Sequence, residues 1–415
     1  MLEKMTNEKY LIEVKMNDFI RVPYGSTVHG EEEINAVVEV LRTTTQMSKN
    51  VREFEAKVAE RYEHDYGIMV NSGSSALYLS IEALNLPKGS QVITPALTFG
   101  TTVACIVNSG LVPVFVDVKE DTYCIDETKI EEKINENTSA IVAPDLMGNI
   151  CEWPTIRKLA DKNNLKILVD SADTIGATYE GVSTGSFADI AITSFYGSHI
   201  INGAGNGGMI VTSDKSIADK CSLLRSWGRS SSLFVESEAI ENRFNVKLEG
   251  IQYDAKFVFE ELGYQLEPSE ISAAFALVQF NKLEKNMELR NKHFDSHLQF
   301  LSKYSQFFSL PKQNPKAYTC WLAFPMIVKE TAPFNRTEMQ IFLEKRNIQT
   351  RVVFTGNVLR QPMMKNVEYV GEADDFVNAD RVMKQGILLA CHHGLDDEMI
   401  NHLYQSIDMF IEQYT

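Results

Sequence analysis

Polar and apolar positions follow two different periods along this chain. Between residues 31 and 42, Ile34, Val37, Val38 and Leu41 recur at helical spacing and give one apolar stripe. Short, continuously apolar runs follow at 67–70, 91–94, 112–118, 140–143 and 165–169. Each is bounded by Gly, Pro, Asp or Asn, with enough chain before the next for a helix. Runs that are apolar throughout, rather than at every second residue, predict strands covered on both faces. Strand and helix repeated in this way predict an α/β architecture, with a mainly parallel sheet between helical layers. Two more strands are expected at 189–194 and 207–212, around a glycine-rich turn, and a helix at 216–226.

Residues 230–262 carry no clear period and read as a loop excursion, a candidate lining for a substrate cleft. A single long helix is expected over 269–287. It leads into strand candidates at 320–328 and 349–353. The expected division is a large domain over 1–268, then a linking helix and a smaller C-terminal α+β domain over 269–415. No internal repeat or low-complexity tract interrupts this order.

Composition narrows the class. The 415 residues are 44% hydrophobic and 23% charged, which excludes a mainly disordered or collagen-like chain. A formal charge of −16 argues against a nucleic-acid or anionic-membrane partner. No stretch approaches the ~18 apolar residues of a membrane-spanning helix. The first eight residues are polar, so no signal peptide is expected. Cys105, Cys124, Cys151, Cys221, Cys320 and Cys391 form no Cys-x-x-Cys pair. They suit neither a disulfide framework nor a zinc site, and predict reduced thiols in a cytoplasmic protein.

Three segments carry candidate chemistry. Asn71-Ser72-Gly73-Ser74-Ser75-Ala76 sits between a strand and an apolar helix. Small residues there let backbone N–H groups approach a phosphate at a helix N-terminus, although Ser and Gly are also ordinary capping residues. Asp170, in Leu168-Val169-Asp170-Ser171-Ala172-Asp173, ends a buried strand, where a carboxylate needs a partner. A protonated heterocyclic nitrogen is one such partner; a helix cap or an ion pair is another. Ser194 ends a further strand, and His199 follows five residues later, ahead of Asn202-Gly203-Ala204-Gly205-Asn206-Gly207-Gly208.

Taken in order with Pro95-Ala96-Leu97-Thr98-Phe99, these segments resemble the sugar aminotransferase family named for DegT, DnrJ, EryC1 and StrS. The resemblance spans nearly the whole chain, from Gly30 to Glu398. It implies the aspartate-aminotransferase-like fold type I and dependence on pyridoxal 5′-phosphate (PLP) or its pyridoxamine form. By the same resemblance, Gly73, Ser74, Ser75 and Ser194 hold the cofactor phosphate and Phe99 stacks on its ring. Asp170 keeps the pyridine nitrogen protonated, and Asp173, where most family aminotransferases carry Gln, lies near the ring oxygen. Gln265 stands where family members often carry an Asn that reaches the phosphate of the neighbouring subunit. A homodimer with the site at its interface is therefore implied.

One departure bears on the reaction. Family aminotransferases carry a lysine where this chain has His199, and imidazole cannot form the lysine's Schiff base. A histidine there resembles the nucleotide-sugar 3-dehydratase subgroup. So do Leu146-Met147-Gly148-Asn149, Arg225-Ser226-Trp227-Gly228-Arg229 and Thr355-Gly356-Asn357-Val358-Leu359-Arg360-Gln361-Pro362. One branch of that subgroup holds an iron–sulfur cluster through four cysteines. No cysteine lies between Cys221 and Cys320 here, so no cluster is expected. The other branch, that of GDP-4-keto-6-deoxy-D-mannose 3-dehydratase, uses PLP and L-glutamate alone. The expected substrate is then a nucleotide-linked 4-keto-6-deoxyhexose, in deoxysugar synthesis for surface polysaccharide, with His199 as general base and acid. An aminotransferase and an inactive sugar-nucleotide-binding homologue are the alternatives. Arg225, Arg229, Arg351 and Arg360 are the expected substrate-binding cations, against an ion-pair reading for the last two. Cys391-His392-His393 invites a metal reading, but adjacent side chains on extended backbone diverge, and no metal is expected.

Overall fold

The computed structural model describes residues 19–234 and 239–415. The polar N-terminus behind the signal-peptide expectation lies outside the described residues. Seven strands build the central sheet: β1 (Tyr66–Val70), β2 (Gln91–Pro95), β3 (Val112–Val116), β4 (Thr138–Pro144), β5 (Lys166–Asp170), β6 (Ile190–Ser194) and β7 (Gly208–Thr212). Their order is β1-β7-β6-β5-β4-β2-β3. Only β7 runs against its neighbours; the remaining pairings are parallel.

The continuous apolar runs have the expected physical origin. Ile167 and Val169 of β5 enter the core on one side of the sheet, and Leu168 enters the core on the other. The first core is closed by α2 (Lys49–Arg61), α5 (Trp153–Asn163) and α7 (Glu270–Asn281). The second is closed by α3 (Gly73–Ala83), α4 (Gly100–Asn108) and α6 (Lys215–Arg225). The first helix, α1 (Glu31–Arg42), packs on α7. Each Val, Leu or Ile buried this way contributes about 1.5–3 kcal/mol, which outweighs local propensity in fixing strand register. Among the described residues, no helix is long and apolar enough to cross a membrane.

The C-terminal part has its own three-stranded antiparallel sheet, in which Ala323–Val328 lies between Phe308–Ser309 and Gly386–Ala390. The strand expected at 349–353 reduces to one bridge, Arg351 opposite Leu388. The true partner strand begins at Gly386. It pairs antiparallel and stands outside the strand–helix alternation that marks equally short runs of the large sheet.

The long helix expected over 269–287 is also corrected. It breaks at Lys282, whose backbone (φ −99°, ψ 1°) leaves the helical region. The Lys282 ammonium reaches Glu32 at 2.7 Å and Glu33 at 2.6 Å. A second helix, α8 (Leu283–Ser302), starts at the next residue. Leu283 and Met287 of α8 pack in the core under the large sheet, whereas Phe294 and Leu301 pack in the C-terminal core. One helix thus belongs to both.

The 230–262 excursion contains a β-hairpin, Val246–Leu248 with Ile251–Tyr253. Glu249 and Gly250 turn it with positive φ of 49° and 87°, the pattern of a two-residue type I′ turn. The alternation Val-Lys-Leu and Ile-Gln-Tyr around Glu-Gly was the available signal.

Arg225 is a structural residue, contrary to the substrate-binding expectation. Its side chain is buried, and Nη1 donates to Glu55 Oε1 at 2.6 Å and to the Met69 carbonyl at 2.8 Å. The same Glu55 oxygen accepts the Met69 N–H at 2.8 Å, so the pair ties α6 to α2 and β1. Arg225→Met strands the Glu55 carboxylate. It should cost about 3 kcal/mol in urea denaturation, and Glu55→Gln in the same chain should recover part of that loss.

Candidate functional site

The ends of β1, β4, β5 and β6 and the start of β7 meet at one edge of the sheet, where open α/β sheets bind ligands. A cavity of about 350 Å³ opens there. Its lining includes Gly73, Ser74, Phe99, Asp170, Asp173, Ser194 and His199, seven of the residues expected from sequence.

The turn into α3 is built for close approach. Ser72 caps the helix, its Oγ accepting the Ser75 N–H at 3.1 Å. The Ser75 hydroxyl donates to Asn71 Oδ1 at 2.6 Å, so it braces the turn and lies outside the lining. A Cβ on Gly73 would stand 2.7 Å from Ser194 Cβ, and one on Gly208 would stand 2.4 Å from the Ser72 carbonyl. Glycine at both positions lets β6, β7 and the helix N-terminus touch. Free N–H groups, the Ser74 hydroxyl and the Ser194 hydroxyl then share one corner, suited to a phosphate.

Asp170 is 5% exposed at the cavity floor. It accepts from Thr102 Oγ1 at 2.9 Å and from the Ala172 N–H at 3.2 Å. Burial raises its carboxyl above the ordinary range, and those two donors oppose the shift. Asp173 accepts the Met147 N–H at 2.9 Å. Burial chiefly, with the Asp170 charge in addition, pushes it up to about 7. Phe99 stays 54% exposed, its ring edge-on to Phe354 at 5.9 Å. An aromatic face this open at a cavity is a stacking surface.

His199 is partly buried, with Nδ1 3.3 Å from the Ser194 carbonyl. A carbonyl only accepts, so Nδ1 carries the proton and Nε2 keeps its lone pair. Burial pulls the imidazole down to about 4; the Ser194 carbonyl opposes this and the Arg290 cation adds to it. The ring is therefore a free base at neutral pH. Tyr196 meets it edge-on at 5.9 Å.

The remaining expected residues lie outside the lining. Gln265 is exposed, and only its backbone bridges to Ser226. The Arg229 guanidinium stacks on Trp227 at 4.1 Å. Arg360 is held bidentate by Asp380, with Asp374 beside it, so it is an ion-pair residue and not the expected substrate contact. Arg351 lies 5.4 Å over the Tyr24 ring, and Tyr24 itself lines the cavity. Among the described residues, none of 230–262 lines the cavity of its own chain, where the sequence reading expects a cleft lining. Tyr24, Tyr196 and Phe354 join the wall from segments outside the predicted elements, and Leu322 joins it from the expected 320–328 strand. Among the described residues the lining holds no Lys, Arg or Cys, and no group of three potential metal ligands occurs.

The profile of the DegT/DnrJ/EryC1/StrS aminotransferase family matches residues 27–408. The lipopolysaccharide biosynthesis protein RfbH of Salmonella typhimurium is 34% identical over 403 residues, covering 94% of this chain and 91% of that protein. The dTDP-4-dehydro-2,6-dideoxy-D-glucose 3-dehydratase of Saccharopolyspora spinosa is 32% identical over 402 residues, covering 94% and 86%. The solved structure of Escherichia coli GDP-4-keto-6-deoxy-D-mannose 3-dehydratase, with bound hydrated PLP, matches with a TM-score of 0.85 at 27% identity. It covers 94% of this chain and 99% of that one.

The residues of this chain fit PLP. The corner at Gly73 has no room for a Cβ, Asp170 is a buried carboxylate with no cationic partner among the described residues, and Phe99 offers a bare ring. Gly73→Ala should weaken PLP binding about tenfold to 100-fold, the loss of one charge-assisted hydrogen bond or more. Fluorescence titration measures it, and an unchanged affinity would put the phosphate elsewhere. Motif order, architecture and profile agree, and the chain belongs to the DegT/DnrJ/EryC1/StrS aminotransferase family, with the PLP fold type I architecture.

Proposed function

We propose that this protein is a PLP-dependent 3-dehydratase of a nucleotide-linked 4-keto-6-deoxyhexose, with L-glutamate as amino donor. The observation that carries this reading is His199, its Nδ1 on the Ser194 carbonyl, in a cavity whose lining has no primary amine among the described residues. Without that amine, PLP would be held by its phosphate and ring alone. When bound it supplies an amine carrier and an electron sink. Gly73, Ser74 and Ser194 would take the phosphate, Asp170 the ring nitrogen, Asp173 the ring oxygen and Phe99 the ring face.

His199 then moves the proton. Nδ1–H is committed to the Ser194 carbonyl, which fixes the ring and leaves Nε2 to accept. Nε2 would take a proton from the amine-bearing carbon of the bound group and deliver it to the C3 hydroxyl oxygen, which departs as water. Overall the sugar loses its C3 oxygen while glutamate becomes 2-oxoglutarate and ammonia. The two-electron reduction of the sugar matches the two-electron oxidation of glutamate.

The same reading includes a homodimer. Ile240, Ile251, Phe257, Phe259 and Leu262 are all exposed on one excursion of the chain, next to Gln265. A second copy would cover these side chains and bring Gln265 to the partner's cavity. Arg229 at that edge and Arg351 behind Tyr24 are the proposed contacts for the sugar diphosphate. Six buried, unpaired thiols suit the reducing cytoplasm as the working compartment.

Incubation with PLP, L-glutamate and a nucleotide-linked 4-keto-6-deoxyhexose should give the 3-deoxy sugar, 2-oxoglutarate and ammonia by mass spectrometry. An amino sugar in its place would establish an aminotransferase, and no turnover across several nucleotide sugars would establish a binding homologue. Borohydride should trap no cofactor in the wild type but should trap it in His199→Lys. That variant should lose most of the dehydration, and wild-type rates in it would end the role given to His199. Sedimentation velocity should give twice the 46.8 kDa chain mass; a monomer at micromolar concentration would sink the dimer.

A further inference from the structure

Arg290 is fully buried on α8. It lies one turn from Met287, in the core under the large sheet, and one turn from Phe294, in the C-terminal core. Among the described residues its guanidinium meets no carboxylate within ion-pair distance. Nε donates to His393 Nδ1 at 3.2 Å. Nη1 donates to the carbonyls of Trp321 and Leu322, at 3.2 and 3.1 Å. Nη2 donates to the His199 carbonyl at 3.3 Å. A buried cation matched only by dipoles is costly, and an apolar side chain of similar length would fill the space without that cost. Leu322 and His199 both line the cavity, on opposite sides of the seam between the cores.

We propose that Arg290 is the positioning residue of this site: its planar fork ties the backbone of His199 to the Trp321 and Leu322 carbonyls and so seats the imidazole at the seam between the two cores. The importance of that seat for turnover rests on the dehydratase reading; the tether does not. The fork has a second effect through its charge. Asp170 and Asp173, Tyr24 and Tyr196 share the cavity with His199, while His393, Cys391 and Cys320 flank Arg290. Arg351 stands over Tyr24, and Arg290 is the cation that opposes protonation of the imidazole.

Two variants in the PLP-loaded protein separate tether from charge. Arg290→Lys keeps the charge and loses the fork. It should lower kcat about tenfold to 100-fold, with KM and PLP affinity within about twofold. Arg290→Met removes the charge as well. It should raise the His199 titration midpoint by about one unit in histidine-labelled NMR, with the His199 signal assigned by its loss in His199→Asn. A lower melting temperature alone, with kcat unchanged in Arg290→Lys and the His199 midpoint unmoved in Arg290→Met, would overturn the proposal. Should Arg290→Met not fold, the kcat-against-KM split in Arg290→Lys decides. The NMR titration needs no turnover, so it stands even where the dehydratase assay fails.

Discussion

Close approach without a Cβ is the constraint on which the site depends. Gly73 opens α3 against Ser194 at the end of β6, and Gly208 opens β7 against the Ser72 carbonyl. Neither glycine is needed for a left-handed turn, since neither has positive φ. Each is needed because two backbones occupy the space a side chain would take. The contact brings the unsatisfied N–H groups of a helix into the same corner as a strand-end hydroxyl. It also sets the floor from which Asp170 and His199 face the cavity, because β5 and β6 are hydrogen-bonded neighbours.

Electrostatics at the cavity are made from dipoles more than from ions. The chain carries −16, and no lysine or arginine lines the cavity among the described residues. Two carboxylates, Asp170 and Asp173, face the same space and are both pushed upward. In the proposed reading an anionic phosphate would meet helix polarity and hydroxyl groups, and a cationic ring would meet Asp170. Arg290 stays behind the wall, where its field acts on His199, and Arg351 stands behind Tyr24.

The fold was legible wherever burial was two-sided. All seven strands of the central sheet stand where continuous apolar runs placed them, since only a strand between two helical layers needs such a run. Legibility failed where tertiary contact overrode the local pattern. Lys282 breaks a helix that the apolar spacing carries straight through, because two glutamates on α1 hold its ammonium. Gly386–Ala390 was missed because it pairs antiparallel, outside the strand–helix alternation that marks equally short runs of the large sheet. At the site, the residues at strand ends were readable as a family pattern. Arg225 and Arg360 were misread because charge alone does not distinguish a ligand contact from an internal ion pair; the partners Glu55 and Asp380 lie 170 and 20 residues away in sequence. Arg290 had no signal at all: a lone arginine in a helical pattern reads as a solvated face.

The break at Lys282 makes α8 a beam shared by two buildings. Its first turns are clamped in one core and its last turns in the other, with the His199 seat between them. Such a beam transmits displacement with little loss, since close-packed interiors have low compressibility. Repacking Phe294 or Leu301, far from any ligand, would thus be felt at an imidazole that never touches them. The C-terminal core is in this sense part of the base's own mounting.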